Sequence, residues 1–312
     1  MQNRRKFLQQ TSLAAAGVVT SKMVLGQALE QEALTSLTIL HTNDVHSRLE
    51  PFPMDGGRNQ GLGGVEARAA LINNIRKEQK HVLLLDAGDI FQGTPFFNLY
   101  KGEPEIKAMA AMGYDAATMG NHDFDAGLEN FATQLQHANF PILLCNYDFS
   151  NTVMEFKYQP FKIIQKGKLK IGITGVGIEM KGLVPDLLAG NTKYLDPIQN
   201  VNIVAAKLKK DMRCDMVICL SHLGFKYKEE EKISDMILAK ETANVDLIIG
   251  GHTHTFLDEP VLVKNKDDND VLINQVGWAG IMLGRLDFEF SSIKRKKMLQ
   301  SHTVLTIRKT NE

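Results

Sequence analysis

Short apolar runs alternate with segments of helical periodicity through the first three quarters of the chain, and this alternation constrains the fold most. The apolar runs predict strands at 37–40, 82–85, 141–145, 161–164, 169–174, 216–220 and 245–249. The helical patterns fall at 65–77, 104–112, 128–137, 198–212 and 229–242, and short strands with turns dominate 261–307. This order is typical of an α/β protein with layered, mixed sheets. We find no repeat or linker in the sequence, so one folded domain is predicted.

Five segments end in side chains that commonly bind metals. The potential ligands are Asp44, His46, Asp89, Asn121, His222, His252 and His254. In an open α/β sheet, ligands bind where strand ends meet loops. Asp-x-His and His-x-His spacing places both side chains on one side of an extended segment, so each pair can serve one site. Together with His122, five of the nine histidines lie in these loops, which predicts a metal site there.

The donor set indicates which metals the site would take and what it would attract. Imidazole, carboxylate and amide ligands suit Mn, Zn, Fe, Co or Ni, and they do not suit the all-oxygen shell of Ca. Two divalent ions carry four positive charges, of which Asp44 and Asp89 cancel two and a bridging hydroxide cancels a third. The remaining positive charge favours an anionic substrate such as a phosphate monoester. His122, beside the ligand Asn121, stays free for chemistry.

Composition and charge exclude two broad classes of function. The 312 residues include 36 basic and 36 acidic side chains, so the formal net charge is zero. A protein that binds duplex nucleic acid over a broad face needs a positive excess, which this sequence lacks. No apolar run reaches the roughly 18–20 residues that cross a bilayer. The three cysteines, an odd count, are expected to be buried free thiols.

The first 28 residues have the character of an export signal. Arg4 and Arg5 form a twin arginine, and a short, moderately apolar stretch follows at 13–19. Small residues precede a cleavage point after Ala28. We therefore expect a twin-arginine-type signal at 1–28, a catalytic domain at 29–312, and a periplasmic or other extracytoplasmic location.

Taken in order, the motifs resemble those of the calcineurin-like metallophosphoesterases. They are Asp44-x-His46, Gly88-Asp89, Gly120-Asn121-His122-Asp123, Ser221-His222 and Gly251-His252-x-His254. The sequences at 40–46 and 88–93 are similar to the 5′-nucleotidase branch of that family, and the match spans roughly 37–290. The resemblance implies a metallo-dependent phosphatase fold, which is a four-layer α-β-β-α sandwich of two mixed sheets.

The resemblance also implies a role for each motif residue. The first metal would be held by Asp44, His46, Asp89 and His254, and the second by Asp89, Asn121, His222 and His252, with Asp89 bridging. A hydroxide between the metals would attack a phosphate ester, and nucleotides are the implied substrates. His122 would face the phosphate or the leaving group, and Asp123 would hold and polarise its ring.

Three alternatives stay open at this point. In 5′-nucleotidases a C-terminal domain usually contacts the nucleobase, whereas this sequence ends at Glu312, so a separately encoded domain is an expected partner. The chain could instead cleave a cyclic nucleotide, a nucleotide sugar or a thiosulfonate adduct. It could also be a non-catalytic metal-binding subunit of a split nucleotidase. The His122–Asp123 pair argues against this last alternative, because a scaffold needs metal ligands but no uncoordinated histidine.

Overall fold

The computed structural model describes residues 34–229, 231–291 and 296–308. The predicted export signal at 1–28 lies outside these ranges. No helix within them combines the length and the apolar character that a membrane-spanning helix requires.

Strands and helices alternate along the described chain, as the apolar pattern predicts. The strands are β1 (Leu34–Thr42), β2 (Val82–Asp86), β3 (Ala116–Ala117), β4 (Tyr147–Asp148), β5 (Phe161–Lys166), β6 (Leu169–Val176), β7 (Lys193–Tyr194), β8 (Met216–Ser221), β9 (Leu247–Gly250), β10 (Val261–Lys264), β11 (Asp270–Asn274), β12 (Met282–Ser291) and β13 (Lys296–Thr306). The helices are α1 (Val65–Glu78), α2 (Pro95–Tyr100), α3 (Glu103–Met112), α4 (Leu128–Gln134), α5 (Asp186–Ala189), α6 (Pro197–Ala206) and α7 (Asp235–Glu241). Short 3₁₀ turns lie at His122–Phe124 and Leu135–His137, and a π-helical turn lies at Lys207–Asp211.

Two mixed sheets form the centre of the molecule. The first has the order β13-β12-β1-β2-β3, with β1, β2 and β3 parallel to one another and β12 antiparallel to β1. The second has the order β10-β11-β9-β8-β6-β5, with β6, β8, β9 and β11 parallel and the two outer strands antiparallel. Strands β4 and β7 pair with each other in a separate two-stranded antiparallel sheet.

Alternate side chains of the central strands pack into different cores, which defines four layers. Leu83 and Leu85 face a core that both sheets share, whereas Leu84 between them belongs to a core with α1 and α3. On the second sheet, Ile218 faces the shared core and Val217 packs with α6 and α7. Because both faces of each central strand are buried, these strands have the continuous apolar sequences expected of parallel sheets. The predicted α-β-β-α architecture is confirmed.

Two predicted elements differ in the structure. The apolar run at 141–145 makes only isolated bridges, because Leu143 donates its N–H to Ala117 while Leu144 donates to Gln159, so no continuous ladder forms. The predicted helix at 229–242 begins only after Ser234, whose backbone is extended. Before Ser234, the Lys232 ammonium lies 3.8 Å from the ring centroid of Tyr227.

Candidate metal centre

The predicted ligands lie in loops that leave the carboxyl ends of β1, β2, β3, β8 and β9. Five of them have left-handed backbones: Asp44 (φ 49°), His46 (φ 50°), Asp89 (φ 56°), His252 (φ 72°) and His254 (φ 51°). For a non-glycine residue this conformation costs of order 1–3 kcal/mol and persists only where the surroundings impose it. Non-glycine residues with left-handed backbones cluster at functional sites. Here the sharp turns point the ligand side chains of different loops towards one another.

One group of potential ligands joins the loops after β1 and β9. Single ligand atoms of Asp44, His46 and His254 lie within 4.8 Å of one another. The Nε2 atoms of His46 and His254 are 3.0 Å apart, and His254 Nε2 lies 3.4 Å from Asp44 Oδ1. These are three of the four residues expected to hold the first metal.

A second group joins the loops after β2, β8 and β9. Ligand atoms of Asp89, His222 and His252 also lie within 4.8 Å of one another. The Oδ1 atom of Asn121 approaches His252 Nδ1 to 2.8 Å, which adds the amide oxygen expected of this site. The residues that the resemblance assigns to each metal therefore lie close together in the folded chain.

Asp89 lies between the two groups. Its Oδ2 atom is 3.1 Å from His222 Nε2 in the second group and 3.8 Å from His46 Nε2 in the first. Its carboxylate is 1% exposed, so it is screened from water on nearly all sides. The carboxylate therefore lies close to ligand atoms of both groups.

The protonation of the histidines fits metal binding. Burial lowers the pKa of His46, and burial with the neighbouring His222 lowers the pKa of His252 to about 4. Both rings are therefore neutral at pH 7, as ligation requires. The His46 Nδ1 atom lies 3.2 Å from the Phe91 carbonyl oxygen, and a hydrogen bond there leaves the Nε2 lone pair facing the site.

His222 provides the most direct test of whether a cation fits. Its Nδ1 atom lies 2.7 Å from the Ala87 carbonyl oxygen, and its fully buried Nε2 atom faces Asp89 Oδ2 at 3.1 Å. Burial alone would lower the pKa of His222, but Asp89 and Asp44 raise it to about 10. The site thus attracts positive charge, which a proton supplies in the metal-free protein and a divalent ion can replace.

The histidine that coordinates to neither group has a different partner from the predicted one. His122 Nδ1 lies 2.8 Å from Asp125 Oδ2, and this hydrogen bond raises the pKa of His122. Asp123 does not hold the ring, so that part of the prediction was wrong. Positions i and i+3 lie on the same side of a 3₁₀ turn, and the turn at His122–Phe124 therefore brings Asp125 to His122.

Asp123 instead ties two ligand-bearing loops together. Its Oδ2 atom accepts the N–H groups of Asp89 (3.1 Å) and Gly120 (2.8 Å), and its Oδ1 atom accepts those of Ile90 (2.9 Å) and Phe91 (3.1 Å). A carboxylate has about four lone-pair positions, so no acceptor remains for an imidazole. Asp123 thereby fixes the loop that carries Asp89.

Two buried amides orient the loops and were not predicted. Asn43 donates from Nδ2 to Asp44 Oδ2 and to the Gly277 carbonyl, each at 2.6 Å. Gln275 donates from Nε2 to the Gly251 carbonyl and accepts the Thr255 N–H at 2.6 Å. The Asn43–Gly277 and Gln275–Gly251 hydrogen bonds join the loops after β1 and β9 to the segment before β12, which is more than twenty residues away in sequence. Periodicity gives no signal for them.

An open cleft of about 250 Å³ lies beside the first group. Its lining includes His46, His254, His122, Arg48 and Trp278. The Trp278 indole stacks on the His254 ring with centroids 5.9 Å apart and an interplanar angle of 13°. A ligand in this cleft would contact both the candidate metal ligands and the uncoordinated His122.

A layered α/β sandwich with two imidazole–carboxylate groups at its strand ends is the architecture of a metal-dependent hydrolase. Residues 37–256 match the family model described as calcineurin-like phosphoesterase. The chain belongs to this family. The family and the enzyme class predicted from the motifs are thereby confirmed.

Several proteins similar to this chain are named 5′-nucleotidase. The snake venom 5′-nucleotidase of Gloydius brevicauda is 37% identical over 277 residues, covering 81% of this chain and 45% of that protein. The 5′-nucleotidase of Homo sapiens is 33% identical over 311 residues, covering 93% and 52%. The solved structure of a 5′-nucleotidase precursor from Thermus thermophilus has a TM-score of 0.79 at 30% identity, covering 88% and 55%. The chain thus spans about half the length of the curated relatives it matches.

Proposed function

We propose that this chain is a dinuclear-metal phosphoesterase of the 5′-nucleotidase type, which hydrolyses phosphate esters of nucleotides. The observation that carries the proposal is the arrangement of two metal-ligand groups around Asp89, beside a histidine that belongs to neither group. The names of the relatives support nucleotides as the substrate class.

The ligand residues divide between two ions in this proposal. Asp44, His46 and His254 would hold the first, Asn121, His222 and His252 would hold the second, and Asp89 would contact both. Two divalent ions held there would supply positive charge to phosphate oxygens and would make a bound water molecule more acidic. The mixed donor set suits Mn, Zn, Fe, Co or Ni.

His122 acts on the leaving group in this proposal. Its Nδ1 atom is engaged by Asp125, so Nε2 is the nitrogen available to a substrate in the cleft. A protonated Nε2 can give its proton to the oxygen that leaves the phosphorus, and Asp125 favours the protonated ring. A subunit that only binds metal has no use for this pair.

We further propose that residues 1–28 are a twin-arginine-type signal, that 29–312 form the catalytic domain, and that the mature protein is periplasmic or otherwise extracytoplasmic. The support is the sequence of the first 28 residues alone. Replacing Arg4 and Arg5 together by lysine should retain the protein in the cytoplasmic fraction. Unchanged export of that double variant would remove the basis for the twin-arginine route.

The substrate class is tested with the chain beginning at Leu29, by phosphate release from the monoesters and by chromatography of the products from the cyclic nucleotide and the nucleotide sugar. The chain is loaded separately with Mn, Zn, Co and Fe and given nucleoside monophosphates, a cyclic nucleotide, a nucleotide sugar and an aryl phosphate. We expect turnover of the monophosphates, which His122→Ala should lower by roughly 10²–10⁴-fold. Turnover of the aryl phosphate alone would favour a separately encoded specificity domain. No turnover with two metals bound would favour the non-catalytic alternative.

A further inference from the structure

His254 is held differently from the other three histidines of the two metal-ligand groups. Its side chain is 40% exposed, whereas His46 and His222 are buried and His252 is half-buried. The Nδ1 atom of each of those three lies 2.7–3.2 Å from an oxygen atom. Within the described ranges, every polar contact of His254 is made through Nε2. Hydrogen bonds at Nδ1, which usually orient a ligating imidazole, therefore do not orient His254.

The side chain of Trp278 packs on the His254 ring. The two rings are nearly parallel, at an interplanar angle of 13°, and their centroids are 5.9 Å apart, as in an offset stack. Phe52 meets Trp278 edge to face, at 80° and 5.8 Å, and so limits the movement of the indole. Stacking restricts the rotation of an imidazole without engaging its nitrogen atoms. The His254 Nε2 atom thus stays available to a metal.

The backbone on both sides of Trp278 is bonded to the loop after β1. The Gly277 carbonyl accepts a hydrogen bond from Asn43 Nδ2 at 2.6 Å, and the Ala279 N–H donates to the Asp44 carbonyl at 2.7 Å. Ala279 has a left-handed backbone (φ 56°), which a non-glycine residue keeps only where its surroundings impose it. The indole is therefore fixed relative to Asp44.

The first metal-ligand group combines side chains from two separate loops. Asp44 and His46 follow β1, whereas His254 follows β9. One ion can contact all three only if the two loops keep their relative position, and a site of this kind tolerates errors of about 0.5 Å. Trp278 is anchored to the first loop through its backbone neighbours and contacts the ligand of the second loop through its ring.

We propose that Trp278 is a positioning residue for the first metal, which orients the His254 ring relative to Asp44 and thereby raises the metal affinity of the first site. This inference rests on the proposed function. Since the ligands of the second site include no ring that stacks on Trp278, the affinity of the second site does not depend on it.

Calorimetric titration with Mn²⁺ tests the assignment in two backgrounds. His222→Ala leaves the first site to be measured, and His254→Ala leaves the second. We expect Trp278→Leu to raise the Kd about two- to tenfold in His222→Ala, as for the loss of one offset-stacked pair, and less than about twofold in His254→Ala. Trp278→Phe keeps a ring over His254 and should stay within about twofold of its parent in both backgrounds.

The kinetics of the otherwise wild-type chain provide a second readout. At saturating Mn²⁺ both sites are filled, so Trp278→Leu should recover the kcat and KM of the wild type for an aryl phosphate. At limiting Mn²⁺ the same variant should be less active than the wild type. Trp278→Phe should match the wild type at both metal concentrations.

Unchanged affinity at the first site, or equal weakening at both sites, would overturn the positioning role. A raised KM at saturating Mn²⁺ would overturn it too, because Trp278 would then contact the substrate. If esters are turned over but Trp278→Leu binds the first metal normally, the inference fails and the proposed function stands. If no ester is turned over but Trp278→Leu weakens only the first site, the proposed function fails and the positioning role stands.

Discussion

Replacing Asp125 and Asp123 one at a time by asparagine should separate proton transfer from metal binding. Asp125 contacts His122 Nδ1 at 2.8 Å, and the two side chains are 32% and 37% exposed. A hydrogen bond to a charged group contributes about 1.5–3 kcal/mol, and we take the lower end because water reaches both partners. About 1.5 kcal/mol corresponds to roughly a tenfold fall in kcat. Metal content and melting temperature should stay at wild-type values in Asp125→Asn.

Asp123→Asn should have the opposite pattern. The amide keeps one acceptor oxygen, so two of the four N–H groups that Asp123 accepts lose their partner. A buried unsatisfied donor costs about 1–3 kcal/mol, so the variant should be destabilised by about 2–6 kcal/mol. The Asp89 loop loses its anchor, and metal content should fall with it.

Both variants are measured by phosphate release, by inductively coupled plasma mass spectrometry and by thermal melting. The two assigned roles are refuted if Asp123→Asn keeps its metals and melting temperature and loses only kcat. They are refuted equally if Asp125→Asn releases metal, because Asp125 would then support the ligands and not His122.

Two further substitutions test the packing around the site. Gly120→Ala places a Cβ atom against the Asp89 carboxylate and the His222 ring, so we expect metal content below one equivalent per chain by mass spectrometry, and retention of two equivalents would contradict the packing. Burial raises the pKa of Asp235 to about 8, so this carboxyl is neutral in the folded state at pH 7 but ionised in the unfolded chain. Stability from this group is therefore present at acid pH and is lost as pH rises from about 4 to 8. Metal-free Asp235→Asn should lose less melting temperature than the wild type between pH 5 and pH 8, and equal losses would show that Asp235 is already ionised.

The fold was largely predictable because its strands are buried on both faces. Runs such as Val82–Leu85 are continuous and apolar, since alternate residues fill two cores. The run at 141–145 has the same composition but divides its hydrogen bonds between Ala117 and Gln159, so no ladder forms. An apolar composition predicts that a segment is buried. It does not predict which backbone groups that segment will hydrogen-bond.

The predicted ligands were accessible from sequence because they follow strand ends at short, regular spacings. The side chains that hold those ligands in place could not be predicted from the sequence. Asp123 and Asp125 both lie close to His122 in sequence, and only the 3₁₀ turn decides that position i+3 faces the ring. Asn43 reaches Gly277 across the fold, and no local pattern indicates such a contact. The i, i+3 spacing of His122 and Asp125 was the one signal that sequence reasoning could have used.

The proposed function requires two cations to bind side by side around Asp89. The most direct test is the metal content of the Mn²⁺-loaded chain after dialysis, measured together with phosphate release during stepwise addition of Mn²⁺. We predict two equivalents per chain, with full activity only when the second is bound, and a loss of about one equivalent in His222→Ala. One equivalent in a fully active wild-type chain, or none, would contradict dinuclear metal binding.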